Sequence, residues 1–323
     1  MVLNFRKWAA DIPAVPPSYP VAADFSTGAL APSAQSVNLP IRPPFTVGKE
    51  RRMRNLTKRE TASRILAQAR AFGASLAGLA AVTDLQQAPS FTLAPRPVGA
   101  GAGGGGAGSD WNPAPGAPLW YQGARSVLVV ALAHPADKPE LDWWFGRRDP
   151  PGNRILAGIV GRLCDWLAAG GEIRAVHLPY HLEKGGTYLK DAAVLAGMGC
   201  IGRNNLLVTP EYGPRVRLRA LTLDRRLPSS GPIRFDPCRG CDDRCRRACP
   251  QDAFGHPPAR AAARDRLRLP ARTGVYGRAA CNRQMEMDVA AAVAETVAGF
   301  DNPVKLIRYC RRCELSCPAG RKA

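Results

Sequence analysis

Acidic residues are scarce in this sequence, with 26 Asp plus Glu against 45 Lys plus Arg in 323 residues, a formal net charge of +19. The imbalance excludes an acidic solvating tail and attracts anionic partners, but it does not choose among nucleic acid, a lipid surface and an anionic cofactor. Long apolar runs are also missing. The longest uncharged one, Ala71 to Thr83, falls well short of the ~20 residues of a membrane span, and an apolar fraction of 46% excludes a wholly disordered chain. A soluble protein with about two cores is expected. An export signal is lacking too. Arg51-Arg52 has the look of a twin-arginine pair, yet the apolar run begins only at Ala71, behind Arg54, Lys58, Arg59, Arg64 and Arg70. The expected compartment is therefore cytoplasmic and reduced, where clustered cysteines serve as metal ligands rather than disulfides.

Eight prolines between Pro13 and Pro44, with no sustained apolar period, mark residues 1–55 as a mobile tail. Order is expected from the capping-box pattern Thr57-Lys-Arg-Glu60, followed by Ile65, Leu66, Ala69 and Phe72 on one helical face. Leu76 to Val82 reads as a buried strand. Residues 88–118 read as a flexible insertion, because their glycine run, Gly101 to Gly108, lacks the Lys-Ser or Lys-Thr of a phosphate loop. Ser126 to Ala133 is an apolar strand, and Ile155, Leu156, Ile159, Val160, Leu163 and Leu167 define an amphipathic helix stopped at Gly170-Gly171. A helix over Thr187 to Ala196 and strands over Leu206 to Thr209 and Arg215 to Leu223 follow, the last two joined by Pro210-Glu-Tyr-Gly-Pro214. The fold class is α/β or α+β. Arg215, Arg217 and Arg219 share one sheet face, which is either solvated or anion-binding.

Composition changes after Pro237. Eight of the ten cysteines lie between Cys238 and Cys317, so a second domain is expected over residues 231–323. The first group is Cys238-x2-Cys241-x3-Cys245-x3-Cys249-Pro250. The second is Cys281 followed by Cys310-x2-Cys313-x3-Cys317-Pro318. Both end in x3-Cys-Pro, the pattern of two-cluster ferredoxins, in which a short loop wraps three corners of a cubane and the fourth Cys crosses to the other cluster. By that logic Cys238, Cys241, Cys245 and Cys317 bind one [4Fe-4S] cluster, and Cys249, Cys281, Cys310 and Cys313 bind a second. Zinc also accepts four thiolates in Cys-x2-Cys pairs but does not explain the crossed Cys-Pro endings. The three residues Asp242-Asp243-Arg244, where two are common, alter the loop. Seven arginines flank the cysteines, Arg239, Arg244, Arg246, Arg247, Arg308, Arg311 and Arg312; they are either cations that ease cluster reduction or solvated loop charge. Cys164, inside the amphipathic helix, reads as core.

Gly197-Met-Gly199-Cys-Ile-Gly202 matches G-x-G-x-x-G, but it follows a helix and leads into a strand, the reverse of a dinucleotide fingerprint, so NAD is excluded. The run from Ala196 through Arg203-Asn-Asn205 to Pro214, followed by the eight-cysteine region, resembles the cobalamin-dependent epoxyqueuosine reductases and reductive dehalogenases over residues 57–320. The resemblance implies a nitroreductase-like cobalamin-binding domain over residues 56–230 and a ferredoxin-like domain carrying two [4Fe-4S] clusters over residues 231–323. It also implies base-off cobalamin, in keeping with the absence of D-x-H-x-x-G around the four histidines at 134, 177, 181 and 256. By position, Gly197, Gly199, Gly202, Arg203, Asn204 and Asn205 would form the turn facing that cofactor, with Arg203 available to a phosphate; a plain helix stop and tight turn is the alternative. The family's proton donor falls at Glu183, or on Tyr180 or Tyr188, with Lys184 as a basic neighbour.

The function expected on this resemblance is an iron–sulfur oxidoreductase supplied by a ferredoxin- or flavodoxin-type electron donor and reducing a small organic substrate or a modified nucleoside. Epoxyqueuosine reductases often carry a C-terminal helical repeat region that helps hold tRNA, whereas six residues follow Cys317 here. Respiratory dehalogenases usually carry an export signal, so the substrate stays open. The rival classes are a ferredoxin-type electron-transfer protein without cobalamin catalysis and an RNA-binding protein with structural clusters, which the positive charge alone suggests.

Overall fold

Thr57 opens the ordered part of the chain as expected: its backbone N–H donates to Glu60 Oε2 at 2.7 Å, and Glu60 N–H donates to Thr57 Oγ1 at 3.2 Å. The reciprocal cap satisfies two otherwise orphaned donors at the start of α1, Lys58–Ala71. A computed structural model describes residues 53–88, 123–146, 148–180, 186–254, 277–298 and 300–320, all within one unit, Arg51–Ala323. The Pro-rich tail up to residue 52, most of the 88–118 insertion with its glycine run, and Glu183 with Lys184 lie outside these residues.

The main sheet contains β1 (Leu76–Ala81), β2 (Ser126–Ala133), β4 (Ala175–His177) and β7 (Val216–Leu223) in the order β1-β2-β7-β4. Every pairing in it is antiparallel. β2 is central, and Val127 to Val130 have no exposed surface on either face, which explains why its sequence is continuously apolar rather than alternating. One face is covered by α1 and α3 (Pro151–Ala169), through Ile65, Leu156, Ile159, Leu163 and Leu167 against Leu128, Val130, Leu221 and Leu223. The other is covered by α2 (Val82–Gln86) and α4 (Leu189–Leu195), through Leu85 and Ala192 to Leu195 against Val127, Val129, Ala131 and Ala220. Each fully buried Leu or Ile contributes roughly 1.5–3 kcal/mol. Cys164 packs at the edge of the first layer, and burial pushes its thiol up to about 11.

Short elements surround this sandwich. β5 (Cys200–Ile201) and β6 (Leu207–Val208) form a ribbon after α4. β3 (Trp144–Phe145), β8 (Ala294–Glu295) and β9 (Val304–Ile307) form a three-stranded sheet in the order β3-β9-β8, joining the segment before α3 to the cysteine-rich region. That region adds α5 (Arg244–Arg247), α6 (Arg278–Ala291) and α7 (Arg312–Leu315). Among the described residues no helix is long and apolar enough to cross a membrane.

The arginine face of β7 is neither a solvated surface nor an open anion site. Arg215 and Arg219 are each 7% exposed. Arg215 donates from Nη1 to the Cys317 carbonyl at 3.3 Å and from Nη2 to the Ala319 carbonyl at 2.7 Å. Arg217 donates to Asp142 Oδ1 at 2.8 Å through Nε and to Asn153 Oδ1 at 2.8 Å through Nη1. The Arg219 guanidinium lies over the Tyr180 ring, 4.4 Å from its centroid. Alternation placed the three on one side, but partners from distant segments bury Arg215 and Arg219 and half-bury Arg217.

Candidate metal and electron-transfer sites

α4 ends at Leu195, and the chain turns back through the glycines. Gly197 has φ +75 and Gly199 φ +153. A Cβ on Gly197 would sit 2.6 Å from the Ser230 carbonyl, and one on Gly199 would collide with the Val208 carbonyl. The chain's own backbone thus occupies the space that these two missing side chains leave. Gly202 accepts from Asn205 N–H at 2.9 Å and donates to the Leu206 carbonyl at 2.9 Å, closing the turn. Asn205 takes φ +55, and its carbonyl accepts from Lys190 Nζ at 2.7 Å.

The far side of this turn is a wall of the first cysteine site. Cys238, Cys241, Cys245 and Cys317 line one cavity of about 260 Å³ together with Arg203 and Asn204. The backbone N–H of Arg203 donates to Cys238 Sγ at 3.4 Å. Its guanidinium pairs with Asp243 rather than standing free for a phosphate. Asp243 is the middle residue of the three-residue spacer, and its left-handed backbone, φ +57, accommodates the extra length; the spacer is therefore a docking point for the glycine turn. Burial pushes the Cys245 thiol up to about 11, with Cys317, Cys238 and Cys241 adding to the push. Burial also raises Cys317, partly offset by Arg215.

The second group gathers separately. Burial pushes the Cys313 thiol up to about 12, followed by the charges of Cys310, Glu314, Cys281 and Cys249. Cys249 Sγ accepts from Ala253 N–H at 3.3 Å, and Cys310 N–H donates to Asp288 Oδ2 at 2.7 Å, which anchors the second loop to α6. So the structure brings Cys249, with which the first sequence group ends, to Cys281, Cys310 and Cys313, and brings Cys317, with which the second ends, to Cys238, Cys241 and Cys245. None of the ten cysteines is paired in a disulfide.

The donor set can be tested against candidate metals. Among the described residues no three His, Cys, Asp or Glu side chains converge closely enough to hold a single ion. Zinc draws its four sulfurs to about 3.8 Å from one another, whereas a cubane spreads them over four iron corners. Four thiols arranged around a cavity match the cubane, so the four residues of the first site fit one. At the glycine turn, Gly197 and Gly199 pack against backbone and Arg203 is paired with Asp243.

Most of the flanking arginines are tied down. Arg244 and Arg247 pair with Asp242, Arg246 donates to the Phe254 carbonyl at 2.7 Å, and Arg308 pairs with Glu295. Arg311 joins a buried network that sequence reasoning missed: it pairs with Asp142 and Glu314, while His134 Nδ1 lies 2.8 Å from Asp142 Oδ2. Burial pushes the Asp142 carboxyl up, but His134, Arg217 and Arg311 together hold it below its ordinary value. Cys200, a thiol outside both groups, lies beside the first site, pushed up to about 12 by burial and by Cys238, Asp236 and Cys317. Its single position between glycines gave no signal. Of the proton-donor candidates, Tyr180 is exposed beneath Arg219, Tyr188 is half-buried at the start of α4, and Glu183 is not among the described residues.

No family model matches the sequence. It is 42% identical over 67 residues to a tetrachloroethene reductive dehalogenase of Desulfitobacterium hafniense, a segment covering 20% of this chain and 12% of that protein. It is 28% identical over 209 residues to an epoxyqueuosine reductase of Gloeobacter violaceus, covering 62% of this chain and 58% of the relative. Among solved structures, an epoxyqueuosine reductase bound to a tRNA-Tyr stem loop superposes with a TM-score of 0.50 at 16% identity, covering 81% of this chain and 65% of that one. A catabolic reductive dehalogenase in complex with 3-bromo-4-hydroxybenzoic acid superposes at 0.51 and 16%, covering 82% and 32%. The chain is thus similar in sequence and fold to both groups, and it spans less than two thirds of the length of each of these relatives.

Proposed function

We propose that the chain is an iron–sulfur reductase in which an external donor of the ferredoxin or flavodoxin type feeds electrons through two [4Fe-4S] clusters to the reaction centre. The observation that carries this reading is the crossed gathering of the cysteines, Cys317 with Cys238, Cys241 and Cys245 around one cavity and Cys249 with Cys281, Cys310 and Cys313 apart from it. An electron carrier would need the clusters alone; the likeness to two groups of reductases extends across the α/β layers as well and favours turnover. The division into a nitroreductase-like domain over residues 56–230 and a ferredoxin-like domain over residues 231–323 belongs to the same proposal.

Base-off cobalamin enters through the likeness and, when bound, would supply a low-valent metal centre for two-electron reduction. The protein's own contributions are nearer to hand. Cys238 and Cys249 each accept one backbone N–H, which favours negative charge on sulfur. Arg215 fixes the loop that delivers Cys317. Tyr180, exposed beneath Arg219, is the proton donor we assign among the described residues. The substrate belongs to one of two classes, a modified nucleoside or a small organic halide, following what the relatives' names say of them.

The test is anaerobic purification from cells supplied with cobalamin, followed by iron, sulfide, cobalt and zinc per chain and a visible spectrum. About eight irons and one cobalt are expected. Iron without cobalt would reduce the protein to an electron carrier, and zinc without iron would overturn both readings.

A further inference from the structure

The cavity of the first site contains one polar group that nothing in the fold explains. Asn204 is 3% exposed and lines the cavity with the four thiols. Its Oδ1 accepts from Leu206 N–H at 3.2 Å, which fixes the orientation of the amide, since only the oxygen can play that part. Its Nδ2 is buried without a hydrogen-bond partner among the described residues. A Cβ built on Gly202 would lie 2.9 Å from Asn204 Oδ1 and 3.5 Å from Cys238 Sγ, so the carboxamide and the thiol share the same small space. Leaving an amide donor buried and unpaired costs about 1–3 kcal/mol. The cavity that Asn204 lines is bounded by the four cysteines, so a group held by their sulfurs would bring an acceptor to it.

We propose that Asn204 Nδ2–H donates a hydrogen bond to a sulfur of the cluster held by Cys238, Cys241, Cys245 and Cys317, and so sets that cluster's reduction potential. The inference rests on the proposal that these cysteines hold a cluster. Adding one electron increases the negative charge on the sulfurs, so a donor aimed at them stabilises the reduced form more than the oxidised one and raises the potential. With the Arg203 N–H it gives the first cluster two donors from a single turn. This gives Asn204, within the glycine turn, a role in cluster tuning. Asn204 is then a positioning residue that acts on the cluster's energy without ligating iron.

Two variants test it in the full-length, iron-loaded protein. Asn204→Leu keeps the approximate shape and removes the donor. Asn204→Asp keeps the oxygen that accepts from Leu206 N–H and turns the donor into an acceptor, guarding against a Leu variant that fails to fold. Each is assayed for iron and sulfide per chain and then titrated with dithionite while its electron paramagnetic resonance is followed, the first couple being identified as the one lost in Cys317→Ser. The expected result is a full iron complement with the first couple about tenfold harder to reduce, equivalent to 59 mV for a one-electron step, and the second couple unmoved. Unchanged potentials at full iron content would overturn the proposal, as would equal shifts of both couples or loss of the first cluster from both variants. Wild-type protein that takes up no iron would instead remove the cluster reading on which it stands.

Discussion

The two cysteine sites follow one chain pattern and differ in what stands behind them. The first is assembled where distant segments meet: the glycine turn supplies a wall, Asp243 pairs with Arg203, and Arg215, just before β7, holds the Cys317 loop. The second is fastened mainly within the cysteine-rich region, by Asp288 on α6 and by the Arg311–Glu314 pair, which reaches the sheet only through Asp142 and His134. Carboxylates stand near both sites, Asp236, Asp242 and Asp243 at the first and Asp288 and Glu314 at the second, so the sites differ in which segments fasten them. The contrast teaches that a repeated ligand motif fixes what is bound, while the neighbours fix how readily it is reduced and which part of the protein it serves.

Removing a crossed ligand should break the comparison most sharply. Cys317→Ser should lose the first cluster and keep the second, leaving about four of about eight irons, and Cys313→Ser should do the reverse; iron analysis with electron paramagnetic resonance reads both. Loss of all iron from either would show that the sites are one cooperative unit. Next comes the brace of the second site. Asp142→Asn leaves the half-buried Arg217 and Arg311 without their shared carboxylate and should cost about 3 kcal/mol in denaturant unfolding. Because Asp142 is held below its ordinary value of 3.8, its contribution is complete above that pH and is lost as pH falls through the lower folded value. The variant should lack that acid limb.

Smaller effects sharpen the comparison. Arg215→Ala should cost about 1.5–3 kcal/mol and make the first cluster, not the second, the one that chelators strip faster. Gly213→Ala acts on the same contact from the other side. Gly213 has φ +57, and an added Cβ would collide with the Ala319 carbonyl, so a loss of about 1–3 kcal/mol is expected in thermal unfolding. The smallest effect is that of Asp288→Asn, which keeps an oxygen to accept from Cys310 N–H but removes a charge; the second couple alone should become easier to reduce in a potentiometric titration.

Much of this was legible along the chain. The capping box, the apolar strand at Ser126–Ala133, the amphipathic helix and the cysteine spacing are local patterns, and their periods or fixed offsets are set by backbone geometry that each segment carries with it. β4, β8 and β9 were not legible, because two to four residues hold too little alternation to show a period. The glycine turn was legible as a turn against the dinucleotide pattern, but not as a wall of the first site, since nothing in Gly197 to Asn205 says that Cys238 will pack against it. The buried network of His134, Asp142, Arg217, Arg311 and Glu314 draws on four separate segments and carries no motif.

By itself the sequence grouped eight cysteines into two candidate ligand sets, since their spacing twice repeats the pattern of three nearby thiolates and a crossed fourth. Only the tertiary structure decided the surroundings: that the arginines at 215, 217 and 219 meet three unrelated sets of partners, that Asp243 docks the longer spacer, and that Asn204, its amide nitrogen unpartnered, lines the first site's cavity. Those features depend on contacts between residues tens to hundreds of positions apart, whose energies come from burial and charge in a shared low-dielectric space, and no local pattern along the chain encodes them.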